Sequence, residues 1–138
     1  MARTPEEILR DGGTIALVGA SPNPARPSNS VMRYLLDAGY RVIPVRDRRV
    51  EVHGIPCVRS LAEIEEPIDL VDVFRRPEAC PDVAREAASV GAGALWLQLG
   101  IVSPEARRIA TEAGMDYVEN ECAAIVHRRT LAGGRSGS

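Results

Sequence analysis

Five short apolar runs, separated by stretches with helical periodicity, restrict the fold of this chain more than any other property. The runs are Thr14–Val18, Arg41–Val45, Asp69–Val73, Ala94–Gln98 and Met115–Val118. Each has the length of a buried strand and is too short for a core helix. After the first, Val31, Tyr34, Leu35 and Ala38 fall at i, i+3, i+4 and i+7 on one helical face, with Ser28 as the expected cap and Gly39 at the stop. A helix over Ala79–Val90 turns Val83, Ala87 and Val90 inward. Ser103-Pro104 opens another, with Ala106, Ile109, Ala110 and Ala113 inward. Thr4-Pro5-Glu6-Glu7 and Ser60-Leu61-Ala62-Glu63 read as capping boxes, the first with proline at the first helical position. His53–Val58, with Gly54 and Pro56, reads as a turn and a short edge strand. Apolar strands alternating with helices call for a parallel sheet covered on both faces and wound by right-handed crossovers. The expected fold is therefore three-layer α/β: a mostly parallel five-stranded sheet, a short edge strand, and helices on both faces. No repeat or linker divides it. Residues 1–130 form one domain, and the tail 131–138 (LAGGRSGS) is expected to be disordered.

Composition removes several kinds of chemistry. All 17 basic residues are arginine, so a Walker A phosphate loop, a Schiff base and pyridoxal catalysis are excluded within this chain. Two histidines, His53 and His127, cannot supply a three-histidine metal site. Cys57, Cys80 and Cys122 are far apart and odd in number, which fits free thiols in a reducing compartment and gives no zinc-ligand pair. A net charge of −2 provides no global field for nucleic acid or anionic membrane. No apolar run approaches a membrane span, and the first residues lack a signal-peptide core, so a cytoplasmic location is expected.

In open α/β sheets ligands bind beyond the carboxyl ends of the strands, where the winding reverses. The residues that follow each run are therefore the candidates. After the first comes Gly19-Ala20-Ser21-Pro22-Asn23-Pro24-Ala25-Arg26-Pro27-Ser28. Its glycine allows close backbone approach, and the loop delivers into a helix start that favours phosphate; a stiffened βα turn is the plainer alternative. It is not GxGxxG, since only the first glycine is present. Arg46-Asp47-Arg48-Arg49 follows the second run. Arginine there suits a ribose phosphate, whereas NAD-binding folds place an acid at that point; a solvated charged turn is the alternative. Phe74, the only phenylalanine, stands with Arg75 and Arg76 at the next strand end and is placed either to stack on adenine or to fill core. Gln98 and Gly100 follow the fourth run, with the Gln98 amide available to a peptide-like ligand. Asn120 and Cys122 follow the fifth; a thiol there faces the crevice or serves as a small hydrophobe.

The ordered set GASPNPARPS, YRVIPV, GIPCVRSLAEI, IDLVDVFRRPE, LWLQLGI and NEC resembles the small stand-alone CoA-binding proteins, from about Ile8 to Arg129. These share a Rossmann-like fold with the CoA-binding domain of the succinyl-CoA synthetase α subunit. The resemblance implies that Gly19, Ala20 and Ser21, with Arg26, Pro27 and Ser28, cradle a pyrophosphate. It implies that Arg46 or Arg48 meets the 3′-phosphate, that Phe74, Arg75 and Arg76 line the adenosine, and that Gln98 to Gly100 lies along the ligand. Cys122 matches a cysteine frequent in the family. The family commonly carries Asn-Pro where this chain has Arg46-Asp47, and the synthetase's phosphorylated-histidine domain has no counterpart here.

Three readings follow. The first is a binder of CoA or an acyl-CoA, monomeric or homodimeric, without catalysis of its own: a carrier, sensor or partner subunit. The second is an NADP-dependent oxidoreductase, which the missing glycines disfavour. The third is a thiol-redox protein using Cys122, against which stands the lack of a second cysteine nearby.

Overall fold

The computed structural model describes residues 2–132. Seven strands form: β1 (Thr14–Val18), β2 (Arg41–Val45), the short β3 (Glu51–Val52) and β4 (Ile55–Pro56), then β5 (Leu70–Val73), β6 (Ala94–Leu97) and β7 (Asp116–Val118). Five of them make a parallel sheet in the order β2-β1-β5-β6-β7. Their helices are α1 (Pro5–Asp11), α2 (Pro27–Asp37), α3 (Cys80–Ser89), α4 (Pro104–Glu112) and α5 (Ala123–His127). Side chains alternate across β1, so Ile15 and Leu17 join one core while Ala16 and Val18 join the other. The first core takes Ile8 and Leu9 of α1, Val31, Met32 and Leu35 of α2, and Ala123 and Val126 of α5. The second takes Val83, Ala84 and Ala87 of α3 and Ala106 and Ala110 of α4, where small residues let the two helices approach closely. This is the three-layer, doubly wound arrangement that the alternating pattern requires. The Trp96 side chain is fully buried in the first core, and its indole N–H donates to the Glu121 carbonyl at 2.7 Å. Truncating such a residue costs about 3–5 kcal/mol, so Trp96 is core rather than ligand platform.

The differences from expectation are local. α2 starts at Pro27 with Arg26 at the cap position, and Ser28 falls inside the first turn, buried, instead of capping. Proline's fixed φ suits the first helical position, which moves the boundary two residues earlier. The expected edge strand is a separate hairpin of β3 and β4 around His53-Gly54, joined to β2 only by a bridge between Val45 and Val58. Ser60 caps nothing: the Glu63 carboxylate accepts from the Arg59 N–H, and the segment closes as a single 3₁₀ turn, Leu61–Glu63. α5 carries no sequence expectation, because five residues are too few to show a helical period. Leu131, placed in the tail by sequence, lies in the helical turn Arg128–Ala132 and packs against the first core. The rest of the expected tail, 133–138, lies outside the described residues.

Candidate functional site

β1 and β5 are neighbours, yet the chain leaves β1 toward β2 and leaves β5 toward β6. The two connections diverge, and a cavity of about 780 Å³ opens above their carboxyl ends. Gly19 closes the floor. It has φ +88°, and a Cβ there would stand 2.4 Å from the Phe74 carbonyl oxygen. The glycine is thus required first by the crossing of two strand ends, and only then by anything lying above them.

The loop beyond Gly19 is stitched by its own side chains. The Asn23 N–H donates to the Ser21 hydroxyl at 3.1 Å and the Ala25 N–H to the Asn23 side-chain oxygen at 2.9 Å. The Asn29 amide donates to the Ser21 carbonyl at 3.0 Å, tying the loop to α2, and the His53 ring nitrogen Nε2 donates to the Asn29 carbonyl at 2.8 Å. Ser21 accepts in this network and keeps its hydroxyl proton for another acceptor. Pro27, Ser28 and Val31 bring the first turns of α2 to the cavity wall, and no side chain caps that helix start. Its positive dipole end is open to an anion.

Arg26, Arg46, Arg75 and Arg76 line the cavity, against the single carboxylate of Asp47. Among the described residues none of these four is in an ion pair, and neither are Arg48, Arg49, Arg59, Arg128 and Arg129, which do not line the cavity; Arg3, Arg10, Arg33, Arg41, Arg85, Arg107 and Arg108 all meet carboxylates. Arg46 is steadied by donation to the Ala20 carbonyl at 3.3 Å. Phe74, Arg75 and Arg76 also line a second cavity of about 500 Å³, together with Glu78 and Ala79. Across the crevice Gln98 is 4% exposed. Its Oε1 accepts from the Ala123 N–H at 3.1 Å, which fixes the amide so that its NH₂ is left to donate. Cys122 lies half-buried on the same wall, followed by Ile125 of α5. Burial pushes the other thiols, Cys57 and Cys80, up from their ordinary pKa. Below the crevice, on β5, Asp72 is wholly buried and neither carboxyl oxygen has a hydrogen-bond partner among the described residues. Burial holds its carboxyl well above the usual range.

The family model of the CoA binding domain matches residues 13–128, which include every strand and every cavity-lining residue. The chain belongs to this CoA binding domain family. An uncharacterized protein of Bacillus subtilis, YneT, is 41% identical to this CoA binding domain over 125 residues, covering 91% of this chain and 93% of the relative. A solved structure of a hypothetical protein from Pyrococcus horikoshii OT3 is 40% identical, with a TM-score of 0.89 over 94% of each chain. The ADP-forming acetate–CoA ligase of Methanocaldococcus jannaschii is 26% identical over 86% of this chain. The chain corresponds to only 16% of that ligase.

Of the residues proposed from sequence, the CoA binding domain gathers Gly19, Ala20, Ser21, Arg26, Pro27, Ser28, Arg46, Phe74, Arg75, Arg76, Gln98 and Cys122 around one cavity. It does not bring Arg48, Gly100 or Asn120 to the wall. Arg48 is exposed on the turn beyond Arg46. Gly100 and Asn120 meet each other instead: the Asn120 side-chain oxygen accepts from the Gly100 N–H at 2.7 Å, and the Asn120 N–H donates to the Ile101 carbonyl at 3.1 Å. With φ 58°, a conformation asparagine tolerates, Asn120 braces the loop that carries Leu99 and Ile101. Sequence reasoning missed Val31, Pro77, Ile101 and Ile125 as lining residues, covered Leu99 only within the stretch from Gln98 to Gly100, and considered Asp47 without including it. Leu99 and Ile101 carried a signal, being apolar residues on a loop directly after a strand. Ile125 carried none, since its helix was unforeseen. Among the described residues no group of three or more His, Cys, Asp or Glu is placed to hold a metal, and no helix is long and apolar enough to cross a membrane.

Proposed function

We propose that this domain binds coenzyme A in the crevice above β1 and β5 and catalyses no reaction of its own. The observation that carries the reading is the set of four arginines without carboxylate partners around a cavity that also receives an uncapped helix start. A charge-assisted hydrogen bond contributes about 1.5–3 kcal/mol, and several are available at once. In this reading the pyrophosphate lies on the Gly19-Ala20-Ser21 turn beside the start of α2, with Arg26 over it. Arg46 meets the 3′-phosphate, Phe74, Arg75 and Arg76 flank the adenosine, and the free NH₂ of Gln98 faces the pantetheine amides. Among the described residues no acid–base pair converges with a nucleophile on the cavity wall: Asp47 is the one carboxylate there, and neither histidine lines it.

One observation favours a second reading. Cys122 is the lone cysteine on the cavity wall, where the thiol end of a bound CoA can reach it. Thiol–disulfide exchange fits that position: the Cys122 thiolate attacks the disulfide form of a thiol ligand, forming the mixed disulfide and releasing the other half as a thiol, although no second cysteine lines the cavity to resolve it. The primary reading is tested by calorimetric titration of CoA, NAD and NADP side by side. CoA should bind at least about tenfold more tightly than either dinucleotide, a difference of about 1.4 kcal/mol. Equal or tighter binding of NAD or NADP would overturn it in favour of a nucleotide-dependent oxidoreductase.

A further inference from the structure

The cavity has two unlike ends. Over β2, β1 and β5 its wall is cationic. Over β6 and α5 it is apolar: Leu99, Ile101 and Ile125, beside Cys122. Leu99 and Ile125 are 64% and 46% exposed, and with the adjacent Val102 they are the large hydrophobic side chains left exposed among the described residues. Branched side chains held open to water at one end of a binding cavity mark a surface that something apolar covers. The braces described above hold them there: Asn120 fixes the Leu99–Ile101 loop, and Gln98 fixes the start of α5.

The following rests on the CoA reading. The charged groups of that ligand belong to its nucleotide half and go with the arginines. The lining residues follow the ends of β2, β1, β5 and β6, three strand spacings or about 14 Å at about 4.8 Å per strand. With the nucleotide half held by the arginines, the uncharged pantetheine arm is left the part of the wall over β6 and α5. A bare thiol ends the arm with one sulfur atom and leaves Leu99 and Ile125 largely uncovered, beside the half-buried Ile101. We infer that the crevice is built for acyl thioesters whose acyl group is uncharged and apolar, with Leu99, Ile101 and Ile125 as the acyl-recognition wall. Among the described residues no lining residue at this end is cationic, so an acyl group with its own carboxylate finds no partner in that wall.

The test is calorimetric titration of CoA, acetyl-CoA, butyryl-CoA, hexanoyl-CoA and succinyl-CoA. A fully buried methylene strengthens binding roughly fourfold, and a half-open wall about twofold. Hexanoyl-CoA should therefore bind about tenfold or more tightly than acetyl-CoA, and succinyl-CoA more weakly than butyryl-CoA. In a Leu99→Ser, Ile125→Ser double variant the hexanoyl-to-acetyl ratio should fall to within about twofold. Both positions are exposed, and circular dichroism checks that the variant is folded; the single Leu99→Ser variant, with a partial loss of the ratio, serves if it is not. Affinities equal across the series, or a ratio that survives in the folded variants, would overturn the acyl inference while leaving CoA binding intact. Failure of every thioester and of CoA itself to bind would overturn the CoA reading and this inference with it.

Discussion

At the amino ends of the strands, the Asp69 carboxylate accepts the N–H groups of Gly13 and Thr14 at 3.1 and 2.8 Å, and Arg3 grips Asp116 through both backbone and guanidinium at 3.1 and 2.7 Å. Arg41 meets Glu66 nearby. At the carboxyl ends, Arg26, Arg46, Arg75 and Arg76 share one cavity, and none meets a carboxylate. The same side chain serves two purposes in one sheet. Exposed pairs add only about 0–1 kcal/mol each, so the amino end is settled without being strongly held by them. Clustered unpaired arginines repel one another and gain nothing until an anion arrives. The closed end therefore reports on folding, and the open end on what the fold is for.

The largest expected effect breaks the open end itself. Gly19→Ala places a Cβ against the Phe74 carbonyl at a positive φ, so β1 and β5 have to separate. A cost of about 3 kcal/mol or more, and a Tm lower by roughly 10 °C, should follow. Gly100→Ala shares the positive φ but meets nothing within 4 Å, and should cost only about 1 kcal/mol. Thermal melts of the two variants decide it; equal losses would mean that the strand crossing at Gly19 is not tight.

A smaller effect concerns two aspartates, one just before β5 and one on it. Asp69 is spent at the closed end on two backbone donors, while Asp72, three residues on, is buried without a partner. Burial raises the folded-state pKa of Asp72, so the folded chain holds a proton that the unfolded chain releases. The stability this confers is complete below the ordinary carboxyl pKa of about 4 and declines as pH rises toward the folded value. Glu66, lowered by its bond to Arg41, acts with the opposite sign: its contribution is present above that range and lost in acid. As pH rises above about 4, the Tm of the wild type should fall relative to Asp72→Asn. A difference independent of pH would show that Asp72 does not titrate in this way.

The mildest probe stays within the open end. Cys122 is half-buried on the cavity wall, whereas Cys57 and Cys80 are buried. Timed alkylation with peptide mass mapping should modify Cys122 first, by about tenfold in rate, and CoA should slow it. Faster labelling of Cys57 or Cys80 would separate the thiol from the cavity.

How much of this was legible in the sequence follows from which features are local. β1 and β2 are recovered residue for residue, because each apolar run is bounded by turn residues on both sides. The crevice follows from strand order, and the arginines nearest the strand ends fall on it. Arg46 directly follows β2 and keeps the direction of the strand; Arg48, two residues on, belongs to the turn and leaves the cavity. The bracing of Gly100 by Asn120 joins residues twenty apart, and no spacing rule announces it. α5 is too short to declare itself, which hid Ile125 and the role of Gln98 in holding that helix.

The central claim, that the unpaired arginines of the open end hold the phosphates of CoA, is tested most directly by titrating CoA and dephospho-CoA into the wild type, Arg46→Ala and Arg48→Ala. One screened charge-assisted contact to the 3′-phosphate gives the wild type a preference for CoA of about ten- to a hundredfold. In Arg46→Ala that preference should shrink toward unity with dephospho-CoA binding nearly unchanged, because the lost contact was to a group that ligand lacks. Arg48→Ala should keep the preference. Full preference retained in Arg46→Ala, or lost in Arg48→Ala, would contradict the assignment and show that the cavity geometry does not decide where the phosphate is held.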